Sequence, residues 1–184
     1  MFWNNIAVWN AVVLSFALAA AVGDARWRKI PRSFTTAGLI VGLGFHAIHG
    51  TLLGGVVHGG LPEFGSSAVA CVIGFAIGLT LFQLGAIGGG DVKLIMALGA
   101  MLGFSRWLFA MEVAVFAAAA IAVLQAARRG MLRQTLANVV ETFRWLLTRG
   151  AKAHPVINVS NAAMLRAPFG IAAALGTLAT VIRP

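Results

Sequence analysis

Apolar residues fall into six blocks, at residues 6–23, 34–53, 66–85, 92–104, 107–127 and 169–182, and the polar residues crowd into the segments between them. About 20 apolar residues in helical form cross a ~30 Å hydrocarbon core, so the pattern predicts six membrane-spanning helices. The segment at 128–167 is long, polar and basic, but part of it is periodic. Leu136, Val139, Val140, Phe143, Leu146 and Leu147 recur at helical spacing, while Arg133, Glu141, Arg144 and Arg149 take other positions. This predicts an amphipathic helix lying on the membrane interface, with Trp145 near headgroup level and Gly150 and Pro155 ending it. Partner binding is the other use open to such a helix. The expected fold class is all-α: one polytopic membrane domain over residues 1–184, with no internal repeat.

Composition agrees with the pattern and narrows the class. Of the 184 residues 60% are hydrophobic and 10% charged, which excludes an ordinary soluble globule. A net charge of +9 would suggest nucleic acid in a soluble chain. Here it points to loops facing an anionic cytoplasmic leaflet, and no nucleic-acid partner is expected. Of the fourteen Lys and Arg, only Arg106 and Arg183 fall outside the first, third and fifth connections. Those connections are therefore assigned to the cytoplasm and the N-terminus to the outside. The run from Ile6 to Ala21 lacks the basic start of a signal peptide and is expected to be a retained first span. Cys71 is the single cysteine, which excludes a disulfide scaffold and a Cys-x-x-Cys metal site. No metal and no cofactor are expected.

Acidic groups are costly in a bilayer, and this chain has five. Glu63 falls in the outer connection, and Glu141 has Arg144 three positions on for a helical pairing. Glu112 lies within the fifth span, placed either to snorkel outward or to bond a neighbouring helix. Asp24 and Asp91 remain. Though 67 positions apart, both fall at the cytoplasmic ends of their spans. Two adjacent carboxylates share a proton, so that one is a general base and the other a general acid, the arrangement that activates water for peptide hydrolysis. Three glycines precede Asp91 in Gly88-Gly89-Gly90-Asp91-Val92-Lys93, and they are expected to supply backbone conformations closed to other residues and room for another chain. The apolar stretch that follows spans only about 20 Å as a helix, which sets Asp91 somewhat below the surface at a break in the membrane helix. A flexible loop entering a helix with an N-terminal aspartate is the plainer alternative. None of the four histidines has a Ser or Cys partner that the sequence justifies.

Together these segments resemble the prepilin peptidases, membrane aspartic proteases with a Gly-x-Gly-Asp signature. Asp24 precedes Ile30-Pro31 with five intervening residues, and Gly88, Gly90, Asp91 and Lys93 match the second pattern, Gly-x-Gly-Asp-x-Lys. Pro168-Phe169-Gly170 looks like the family's segment opening the last span. The likeness covers roughly residues 20–175; Arg32 departs from the usual Asn after Ile-Pro. The resemblance implies catalytic Asp24 and Asp91, supported by Gly88, Gly90, Lys93, Ile30 and Pro31, with Lys93 placed either to orient Asp91 or to bind lipid phosphate. It implies a substrate, the prepilin, whose basic leader is cut at the cytoplasmic face of the bacterial inner membrane. The paired Cys-x-x-Cys insertion of larger members, associated with N-methylation, is missing. The chain therefore resembles the short CpaA/TadV form serving Flp-type, tight-adherence pili, and cleavage without methylation is expected. Two other readings stay open, another Gly-x-Gly-Asp intramembrane protease and a proton-coupled transporter. Nothing in the sequence fixes the oligomeric state.

Overall fold

The computed structural model describes residues 2–27, 31–150, 154–158, 161 and 168–183. Among them the chain is all helical: α1 (Phe2–Trp27), α2 (Arg32–Gly55), α3 (Leu61–Gln83), α4 (Gly89–Leu102), α5 (Phe104–Arg128), α6 (Leu132–Arg149) and α7 (Phe169–Ile182). Three stretches are long and apolar enough to cross a membrane: Ile6–Trp27, Arg32–Gln83 and Phe104–Arg128. The second is a hairpin of α2 and α3. The chain is a polytopic membrane protein, and the predicted amphipathic helix is α6, whose Leu136, Val140, Phe143 and Leu147 are exposed.

The connection between α2 and α3 differs from expectation. A loop was expected between the blocks at 34–53 and 66–85, but the chain stays helical for most of it. Gly55 at φ +73 stops α2, a π-helical turn at Val56–Gly60 reverses direction, and α3 begins at Leu61. Pro62 and Glu63 in the first turn of α3 suit a helix start, a signal that hydropathy does not carry. The turn closes so tightly that a Cβ on Gly59 would run into the Gly50 carbonyl.

At the centre of the bundle is α4, packed against α3 and α2, while α7 packs against α1 and α5. Each of these two helices has 14 residues and rises about 21 Å, less than the hydrocarbon thickness. Between residues 92 and 102 only Lys93 and Met96 of α4 escape burial. Small residues let the neighbours approach: Ser67, Ala70, Gly74 and Gly78 form the buried stripe of α3, at the spacing by which membrane helices pack without a hydrophobic driving force. A Cβ on Gly99 of α4 would lie 2.9 Å from the Ala70 backbone.

A helix this short, ending inside the bundle, leaves carbonyls that need partners. The Ala100 carbonyl accepts the Ser67 hydroxyl from α3. That of Met101 accepts Trp9 Nε1 from α1 at 3.0 Å and His46 Nε2 from α2 at 3.1 Å. One turn back, Trp107 Nε1 of α5 donates to the Ile95 carbonyl at 3.2 Å. Gly103, at φ +72, ends α4 and starts α5 by itself. Glu112 is exposed on α5 and bonds no neighbouring helix among the described residues.

Ser67→Ala leaves the buried Ala100 carbonyl without its donor, and is expected to lower stability by about 1–2 kcal/mol in a denaturing-detergent titration. Trp9→Phe is expected to lower it less, because His46 still reaches Met101.

Candidate active site

Asp24 sits in the last turn of α1, among carbonyls and at the negative end of the helix dipole, where an anion is poorly placed. The compensation comes from α7. Pro168, extended at φ −69 and ψ 102, leads into that helix, and the main-chain N–H of Gly170 donates to Asp24 Oδ2 at 2.8 Å. Donor and acceptor are 146 positions apart in the chain. Only a residue without a Cβ fits here: one built on Gly170 would lie 2.8 Å from Asp24 Cβ and 3.2 Å from the Ala20 carbonyl oxygen.

Asp91 belongs to the first turn of α4, and its Oδ2 accepts the Gly88 N–H at 3.0 Å, closing the start of the helix. Here the carboxylate stands at the favourable end of its own helix dipole. The glycines before it do not have the role expected of them. Gly88 is extended at φ −84 and ψ 159, Gly89 and Gly90 are already helical, and the left-handed residue of this connection is Gly85 at φ +72. The reason is that α4 starts earlier than its apolar block and absorbs two of the three glycines. A Cβ on Gly88 would meet Asp91 Oδ2 at 3.5 Å and one on Gly89 would meet Phe82 at 3.7 Å, both ordinary contacts.

The bundle thus brings α1, α4 and α7 together at one end, where Asp24 and Asp91 are both half-buried. Each carboxylate has one oxygen held by a main-chain N–H. Lys93 is exposed and forms no ion pair with either aspartate among the described residues, so it does not orient Asp91 through a direct contact. Pro31 precedes α2 in extended conformation, and its carbonyl accepts the Thr35 N–H at 3.4 Å. Ile30 lies outside the described residues. Among the described residues no cluster of three His, Cys, Asp or Glu side chains is arranged to hold a metal. The resemblance singles out Pro168-Phe169-Gly170 but assigns Gly170 no contact, and its bond to Asp24 joins segments too far apart in sequence for a local pattern to show.

A sequence model of the type IV leader peptidase family matches residues 11–123, more than half of the chain and inclusive of both aspartates. No curated protein and no solved structure matches. Gly170 and the whole of α7 lie beyond the matched region.

Gly170→Ala forces α7 away from α1 and is expected to destabilise the protein by about 1–3 kcal/mol, read from its thermal unfolding in detergent. Gly44→Ala, on α2 with nothing within 4 Å of the added methyl, is expected to leave stability unchanged or raise it by up to about 1 kcal/mol.

Proposed function

The chain belongs to the type IV leader peptidase family, and from that premise we propose that it is an aspartic endopeptidase whose catalytic pair is Asp24 and Asp91. The observation that carries this reading is that two carboxylates distant in sequence stand at the same end of the bundle, each held by a single main-chain N–H. Two such groups share one proton. The ionised member takes a proton from water as the oxygen adds to the scissile carbonyl, and the protonated member gives its proton to the carbonyl oxygen. Collapse of the tetrahedral diol breaks the C–N bond as the first carboxyl gives its proton to the departing amine and the second carboxylate takes the proton of a diol hydroxyl, which restores the pair. Gly88 and Gly170 position the carboxylates through their N–H groups, Gly90 lies in the first turn of α4 beside Asp91, and Pro31 leads into α2.

The substrate proposed is a prepilin whose basic leader stays at the surface while its apolar helix enters the bundle sideways from the bilayer. Arg26, Arg32, Arg128, Arg129 and Arg133 lie at or next to the helix ends on the aspartate side, which supports a cytoplasmic site in the bacterial inner membrane. The presence of one cysteine supports the short form acting on Flp-type pilins, with cleavage and no N-methylation.

Co-expression with an Flp-type prepilin is expected to shorten the pilin by its leader and leave a free, unmethylated N-terminus, both read by mass. Asp24→Asn and Asp91→Asn are each expected to cut the rate at least ~100-fold at equal expression. Cleavage retained by either variant would remove that aspartate from the mechanism.

A further inference from the structure

At the end of the bundle opposite the aspartates, a pocket of about 290 Å³ opens between the first turns of α1 and α3, the end of α2 and the α4–α5 junction. That volume is near the lower limit of small-molecule sites. One wall is a rigid stack: Trp9 lies 3.7 Å from Phe45 with the rings 3° from parallel, and Phe45 lies 5.0 Å from His49. The polar lining is His46, His49, Glu63, Ser66, Ser105 and Arg106.

The charges in this pocket are unevenly met. A carbonyl oxygen only accepts, so the bond from His46 to Met101 fixes a proton on Nε2 and turns Nδ1 toward Glu63 Oε2, 3.6 Å away. His49 Nδ1 reaches the same oxygen at 3.2 Å. Two imidazoles converge on one carboxylate oxygen, so Glu63 is engaged within this trio. Ser66 is engaged as acceptor of the Phe104 N–H at 3.0 Å. Arg106 is different. It is half-buried, and its Nη2 donates at 2.7 Å to Asn10 Oδ1, a neutral acceptor. Among the described residues no carboxylate lies within ion-pair distance of it, and its remaining N–H donors have no protein partner. A guanidinium removed from water without a counter-ion is unfavourable, and its planar fork fits two oxygens of a phosphate.

We propose that this pocket binds a phosphate-type oxyanion, with Arg106 as the principal cation and Glu63 as a negative group that limits affinity. The oxyanion comes either from a phospholipid headgroup or from free phosphate. The proposal is independent of the peptidase reading, since the pocket shares no residue with the aspartate site.

The test uses the full chain in a non-ionic detergent, titrated separately with inorganic phosphate and with a soluble short-chain phosphatidylglycerol, and read by phosphorus NMR line broadening. Saturable binding is expected, about tenfold weaker in Arg106→Gln, weakened less in Arg106→Lys, which keeps the charge but not the fork, unchanged in Arg129→Gln at the other end of the bundle, and tighter in Glu63→Gln. Preference for the lipid assigns the headgroup, and equal or better binding of inorganic phosphate assigns the free ion. No saturable binding of either probe, or binding that Arg106→Gln leaves unchanged or Glu63→Gln weakens, overturns the proposal. Should Arg106→Gln fail to fold, the Lys and Glu63 variants still decide the sign of the charge bound.

Discussion

The fold rests on satisfying the main chain of one short helix inside an apolar bundle. α4 is too short to carry its ends to water on both sides, so every terminal N–H and C=O needs a partner from the protein. Asp91 supplies one at the start through Gly88. At the finish Ser67, Trp9 and His46 supply donors from three other helices to Ala100 and Met101. Those bonds fix the depth and rotation of α4 against α1, α2 and α3, and through that fix where Asp91 stands. The stripe of small residues on α3 follows from the same need, because side chains reach those carbonyls only when the helices lie close together.

The two aspartates solve opposite electrostatic problems. Asp91 opens a helix and gains from its dipole, whereas Asp24 closes one and is exposed to the wrong end of it. The remedy for Asp24 is the start of α7, aimed at the carboxylate through the Gly170 N–H. In both cases the donor is main chain, which does not change rotamer and carries no proton that titrates near neutrality. One oxygen of each carboxylate is thereby immobilised while the rest of the group stays half-exposed.

Much of this was legible in the sequence because hydropathy and loop charge report on the membrane, a strong and simple solvent. Six apolar blocks, the amphipathic helix around Phe143 and the shared end of Asp24 and Asp91 all follow from that. The misreadings have a common cause. Helix starts are set by local groups, so α3 begins at Leu61 behind Pro62 and Glu63, and α4 takes in Gly89 and Gly90; a window average sees neither. Contacts between distant segments leave no periodic trace, which hid the bond from Gly170 to Asp24 and the convergence of His46, His49 and Glu63. The stripe at Ser67, Ala70, Gly74 and Gly78 was present in the letters, but within a uniformly apolar block it does not stand out from residues facing lipid.

The dependence of Asp24 on α7 also orders events in time. Both aspartates emerge from the ribosome ahead of α7, yet the N–H that holds Asp24 belongs to that later helix. Until α7 has inserted, the end of α1 lacks that donor and the space beside Ala20 is unfilled. A nascent chain therefore carries both acidic groups before the geometry around them is complete, and the site matures as α7 docks.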